Sequence, residues 1–90
     1  MTREEMFAVV KDNIREIIGV KGEEILETHS MRDFGADSLD IVEVVSRSMK
    51  QLKLKVPRTE LSTAKDLKDL LDLFEKAAAN AAAANTAAAR

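Results

Sequence analysis

Gly35-Ala36-Asp37-Ser38-Leu39-Asp40 decides the reading of this 90-residue chain, because an aperiodic stretch gives way there to an amphipathic one. From Val20 to Asp37 no period persists, and Gly22, Thr28, Ser30 and Gly35 punctuate the run. After Ser38, the residues Leu39, Val42, Val45, Met49 and Leu52 recur at spacings of three and four, while Glu43 and Lys50 fall away from them. That spacing makes one helical stripe and predicts a helix to about Gln51. Asp37 and Ser38 are both good caps for it, since either side-chain oxygen can accept from a free backbone amide of the first turn. If Asp37 caps, Ser38 lies inside the first turn with its hydroxyl free, beside amides that favour a negatively charged adduct.

Upstream, Thr2-Arg3-Glu4-Glu5 reads as a capping box, and Met6, Phe7, Val10, Ile14, Ile17 and Ile18 follow on one stripe up to Gly19, a natural C-terminal stop. The loop after Gly19 is long for a compact domain, and loops of that length are often functional. Ile25, Leu26, Met31 and Phe34 are expected to pin it to the core, with a short helical turn at Glu23 to Leu26. Downstream, Lys53-Leu54-Lys55-Val56-Pro57 alternates polar and apolar, but a lone strand has no pairing partner, so it reads as an extended connector. A short turn is expected at Arg58 to Leu61. Thr63, with Asp66 three residues on, offers a further N-cap for the stripe Leu67, Leu70, Leu71 and Phe74. The expected fold is all-α: a small bundle of three principal helices plus one short helix, in a single domain over residues 1–76. Residues 77–90 hold ten alanines and no large apolar side chain, and read as outside the core, either a frayed continuation of the last helix, which alanine favours, or a tail or linker.

Composition narrows the function. The absence of cysteine removes disulfides, thiolate metal sites and an intrinsic thiol nucleophile. With no Tyr or Trp and only three Phe, the chain has few platforms for stacking bases, so nucleic acid is not an expected ligand. No apolar run suits a bilayer crossing or a leader peptide, so the expectation is a cytoplasmic protein that does not engage membranes. The net charge of -2 hides an asymmetry: residues 1–46 carry 11 acidic and 5 basic side chains, residues 47–90 carry 5 and 9. Such a layout suits docking to charged protein surfaces.

Candidates for catalysis are few. His29 stands in the loop without a ligand partner and reads as solvent-exposed; Asp37, Asp40 and Glu43 are explained by the positive end of a helix, so no metal site is expected. Ser38 has no histidine near it in the sequence, and no lysine lies between Arg32 and Arg47, so a hydrolase built on Ser38 lacks its base. The chain is therefore not expected to be an enzyme. Ser38 is better suited to being modified by one.

Asp33-Phe34-Gly35-Ala36-Asp37-Ser38-Leu39-Asp40 resembles the phosphopantetheine attachment motif of acyl carrier proteins, and the likeness continues through Ile41-Val42-Glu43-Val44-Val45, Val56-Pro57 and Thr63 to Phe74. The resemblance implies that a phosphopantetheinyl transferase, with coenzyme A and magnesium, attaches 4'-phosphopantetheine to Ser38, with Asp37 and Leu39 as contacts. It implies acyl thioesters carried to an acyltransferase or ketosynthase, and docking through the second helix at Asp40, Ile41, Glu43 and Val44. Arg47, Lys50 and Arg58 belong to a basic run that departs from the family and reads as a docking surface for partners with acidic patches. Carriers of fatty-acid synthesis usually keep an acidic second helix, whereas Arg47 to Arg58 here holds five basic residues and no acidic one. Leu52 to Leu61, followed by Ala64-Lys65-Asp66-Leu67, is similar to discrete donor carriers of polyketide β-branching cassettes. Those deliver acetyl or a related unit to a hydroxymethylglutaryl-synthase-like enzyme.

Two alternatives stand beside that reading. One is a carrier for fatty-acid or ordinary polyketide elongation, for which the basic run is incidental. The other is a cofactor-free helical interaction module using Ile41 and Val44 as a partner groove. A monomer is expected for a small transient shuttle.

Overall fold

The computed structural model describes the backbone of residues 2–88 and the side chains of residues 2–80. Helix α1 (Arg3–Ile18) starts at the expected capping box: the Glu5 amide donates to Thr2 Oγ1 at 3.1 Å, and the Thr2 amide donates to Glu5 Oε1 at 2.9 Å. It stops at Gly19, whose φ of 88° is the left-handed conformation a side chain would disfavour. Helices α2 (Ser38–Leu52), α3 (Arg58–Leu61) and α4 (Leu67–Ala88) follow, with a 3-10 turn at Met31–Phe34 and no strand among the described residues. This is the expected all-helical bundle. Helix α1 packs on both α2 and α4, and α3 rests on α4.

The core joins Met6, Val10 and Ile14 of α1 to Val44 of α2 and to Leu67, Leu71 and Phe74 of α4, all essentially without exposure. The phase of α2 differs from the one expected. Val44, Val45 and Ser48 point inward, while Leu39 is 80 % exposed and Val42 is 53 % exposed. The reason lies in the composition of the helix: Leu39, Ile41, Val42, Val44 and Val45 cover more than half its circumference, so apolarity alone does not fix which side is buried. One polar pair enters this interface. Asn13, buried in α1, donates to Ser48 Oγ at 2.8 Å and to Gln51 Oε1 at 2.9 Å.

The loop between α1 and α2 is an ordered structural element. Ile25 and Met31 are buried and Phe34 is partly so, as expected, but Leu26 is exposed and residues 23–26 form no helical turn. Instead the chain turns through His29, whose Nδ1 accepts from the Leu26 amide at 3.0 Å and whose ring meets Phe34 edge-on at 5.1 Å. His29 is thus half-buried and structural, and not the solvent-facing side chain expected. The loop also caps α4: the Leu67 amide donates to the His29 carbonyl at 2.9 Å, and the Lys68 amide to the Glu27 carbonyl at 2.8 Å. These bonds satisfy amides that a helix start leaves without partners.

Two further expectations are adjusted. Asp66, not Thr63, caps α4, accepting from the Asp69 amide at 2.9 Å, while the Thr63 hydroxyl donates to the Glu60 carbonyl. Helix α4 continues through the alanine segment to Ala88, and Ala77 and Ala78 are partly buried against the core. The remainder of the expected 77–90 tail, residues 89 and 90, lies outside the described residues, as do the side chains from 81 on. The connector before Pro57 alternates as expected, with Leu54 and Val56 inward and Lys53 and Lys55 outward, but its first residue, Lys53, is left-handed at a φ of 57° and closes α2 instead of extending.

Candidate functional site

The start of α2 is built by two consecutive turns. In the first, the Ser30 amide donates to Asp33 Oδ2 at 2.8 Å, and Gly35, with a φ of 84°, closes the 3-10 turn in the left-handed region. In the second, Asp37 caps α2: the Asp40 amide donates to Asp37 Oδ1 at 2.8 Å, and the Asp37 amide donates to Asp40 Oδ2 at 3.3 Å. The choice between Asp37 and Ser38 is thereby made for Asp37. Ser38 becomes the first helical residue, exposed, with a hydroxyl that takes no part in capping. Its side-chain contact is the Arg32 guanidinium, with Nη2 at 3.4 Å from Oγ.

Ser38 stands on the rim of an open groove of about 870 Å³. Ile41, Val45 and Met49 of α2 form one apolar wall, and Val56, Leu61 and Leu70 face them. Arg32, Arg58 and Lys65 also line the groove, and among the described residues none has a carboxylate oxygen within 4.0 Å of its charged side-chain nitrogens. A cleft of this size, apolar inside with a few convergent polar groups, is the usual form of a small-molecule site.

The structure brings together some of the residues singled out from sequence and separates others. Asp37, Ser38, Leu39, Asp40 and Ile41 gather at the head of α2, and Arg58 lies across the groove. Val44 is a correction: expected to be exposed for docking, it is fully buried in the core. Arg47 is present at the surface but held between Glu16 at 3.3 Å and Glu43 at 3.2 Å, so neither it nor Glu43 is a free charge. Lys50 is exposed.

Arg32 and Val42 were missed as site residues. Arg32 is six positions from Ser38 in the chain, and only the reversal at Gly35 brings it back; Val42 falls on the stripe whose spacing predicts burial, yet it is exposed. No group of three or more His, Asp or Glu side chains is placed to hold a metal ion among the described residues. Among the same residues, no helix is long and apolar enough to cross a membrane.

Perturbed titration lies outside the groove. Arg3 donates to Glu27, with Nη2 to Oε1 at 2.6 Å, to Asp72 at 2.8 Å and to Glu75. These bonds hold the Glu27 and Asp72 carboxyls below their usual range and raise the guanidinium further. None of these residues lines the groove. The cluster ties α1, the long loop and α4 together, and its role is architectural.

Residues 8–74 match the family described as the phosphopantetheine attachment site. The polyketide biosynthesis acyl-carrier-protein AcpK of Bacillus subtilis is 32 % identical over 78 residues, covering 84 % of this chain and 95 % of that protein. The acyl carrier protein of Thermotoga maritima is 34 % identical over 76 residues, covering 83 % and 94 %. Among solved structures, the chain is similar to that of the curacin biosynthetic pathway HMG synthase in complex with acetyl donor-ACP, at 34 % identity and a TM-score of 0.74. That match covers 87 % of this chain and 99 % of the matched chain.

Proposed function

The chain belongs to the phosphopantetheine-carrying acyl carrier proteins, and from that premise we propose that Ser38 bears the arm and that the loaded protein donates an acetyl or similar unit to a hydroxymethylglutaryl-synthase-like enzyme. The cofactor is covalent 4'-phosphopantetheine. When bound, it supplies the terminal thiol that a chain without cysteine lacks and holds acyl groups there as thioesters. The residues fit the group. Ser38 offers an exposed hydroxyl at the positive end of a helix, where a phosphodiester is stabilised, and Asp37 relieves it of the capping task.

Neither histidine nor lysine bonds to the Ser38 hydroxyl among the described residues, so removal of its proton falls to the phosphopantetheinyl transferase. Asp37 and Leu39 flank the reacting oxygen and are the natural first contacts for that enzyme. The carrier performs no catalysis in this reading. It works as a cytoplasmic monomer that engages partners through the exposed Leu39 and Val42, with Asp40, Ile41, Lys50 and Arg58 around them. A small apolar contact ringed by charge exchanges quickly, as a shuttle requires.

The donor assignment is carried by one observation: the likeness to an acetyl donor carrier extends over nearly all of that chain. A second reading, a carrier for chain elongation, is favoured by the equal identity to a general acyl carrier protein. Intact-protein mass after incubation with a broad-specificity transferase, magnesium and coenzyme A tests the attachment. Gain of one phosphopantetheine on wild type and none on Ser38→Ala is expected. Acetyl-loaded carrier offered in parallel to a hydroxymethylglutaryl-synthase-like enzyme and to a fatty-acid ketosynthase then separates the readings. Preference for the ketosynthase sinks the donor role.

A further inference from the structure

Arg32 is a charged side chain without a charged partner among the described residues. Its backbone is fixed on both sides: the Gly35 amide donates to the Arg32 carbonyl at 3.0 Å, the Ala36 amide donates to the Met31 carbonyl at 3.3 Å, and Met31 and Ala36 are buried. The guanidinium reaches toward Ser38 Oγ, yet 3.4 Å is long for a hydrogen bond, so the hydroxyl does little to retain it. Nearby carboxylates are occupied elsewhere. Asp33 accepts from the Ser30 amide, and Asp37 from the Asp40 amide. Among the described residues no carboxylate oxygen comes within 4.0 Å of the Arg32 guanidinium nitrogens.

We propose that Arg32 is a positioning residue for the arm, pairing with its phosphodiester once Ser38 is modified and directing the chain beyond it into the groove between α2 and the α3–α4 segment. This inference rests on Ser38 being the attachment site. A phosphodiester on Oγ places its free oxygens two bonds beyond an atom the guanidinium already approaches, inside the reach of a charge-assisted hydrogen bond. It also places a negative charge beside Asp33, Asp37 and Asp40, and Arg32 is the cation that offsets them. The same guanidinium lines the groove, as do Arg58 and Lys65, so the phosphodiester is held at the mouth with the apolar walls ahead of it. An arm held there presents its thioester along one direction and spends less time in random orientations.

The test uses wild type, Arg32→Gln and Arg32→Lys, each driven to complete modification with transferase, magnesium and coenzyme A, and verified by intact mass. Absence of mass gain on wild type would end the underlying attachment reading before Arg32 is examined. With modified proteins, phosphorus NMR reads the phosphodiester directly. The wild-type resonance is expected to differ from that of Arg32→Gln and to converge on it between about 0.1 and 1 M salt, as the screening length falls from about 10 to 3 Å. Arg32→Lys should retain part of the difference. The expected paired population is roughly 1.4- to fivefold over the unpaired one, the range for an exposed ion pair. Identical resonances in wild type and Arg32→Gln at low salt, on fully modified proteins, would overturn the proposal.

Discussion

Asn13 of α1 donates its side-chain amide to Ser48 Oγ of α2 at 2.8 Å, and both residues are buried. The same amide reaches Gln51 Oε1 at 2.9 Å, and no buried side-chain polar atom among the described residues lacks a partner. A satisfied polar pair inside an apolar interface fixes the register of two helices more strictly than methyl groups do.

Removing one partner leaves the other buried without a bond. Asn13→Ala is expected to lower the free energy of unfolding by about 1–3 kcal/mol in urea denaturation, the cost of an unsatisfied buried group plus a small void. The double variant Asn13→Ala with Ser48→Ala should cost clearly less than the sum of the single ones, because the groups share one bond. Strict additivity would mean that the pair does not act as a unit.

Exposure divides the apolar residues of α2 into two classes with opposite consequences. Val44→Ala removes two methyl groups from a fully buried position and is expected to cost about 2 kcal/mol, between the Ile→Val and Leu→Ala ranges. Leu39→Ala and Val42→Ala, at exposed positions, should stay within about 0.5 kcal/mol of wild type. Their effect belongs instead to partner affinity, read by titration calorimetry or by transfer rate. A large loss of stability in Leu39→Ala would place that residue in a core where the structure does not put it.

Much of this was legible in the sequence. Local signals were decisive where one residue type has one physical solution: Thr2 and Glu5 as a capping box, Gly19 as a left-handed stop, and Pro57 closing an extended connector. The face that α2 buries was not legible, because Leu39, Ile41, Val42, Val44 and Val45 satisfy more than one helical phase. Only the facing surface of α1, with Asn13 opposite Ser48, resolves it. The caps of α4 were misread for a related reason. Thr63 and Asp66 are both good caps, and the loop carbonyls of Glu27 and His29 that complete the job are nearly forty residues away. The contact between Arg32 and Ser38 depends on a chain reversal, which no period encodes.

The Arg3 cluster gives stability a defined dependence on pH. Glu27 and Asp72 have carboxyls lowered in the folded protein, so their contribution is fully present above the unfolded values of 4.5 and 3.8 and is lost as pH falls through the folded values. Arg3 stays charged at every working pH and adds no slope of its own. Melting temperature should therefore fall on acidification below about pH 4.5, and Arg3→Gln should flatten that acid limb while lowering the melting point at pH 7. Adding salt should narrow the difference between the two proteins, since these groups are partly exposed. Parallel pH profiles for wild type and Arg3→Gln would show that the acid sensitivity arises elsewhere.

Arg47 and Lys50 look interchangeable in the basic run of the sequence, but the structure gives them different work. Arg47 sits between Glu16 and Glu43, linking α1 to α2, so Arg47→Glu brings three carboxylates together where one cation held two. Its melting temperature is expected to fall, and any slower acyl transfer would then mix docking with damage to the fold. Lys50 is exposed and has no carboxylate within 4.0 Å among the described residues, so Lys50→Glu should leave melting and helicity unchanged. If the basic end of α2 steers the carrier onto an acidic patch, Lys50→Glu lowers the association rate with a hydroxymethylglutaryl-synthase-like partner, and the deficit shrinks as salt is raised. Transfer kinetics that match wild type at low salt would remove Lys50 from the docking surface and leave recognition to Leu39, Val42 and the groove.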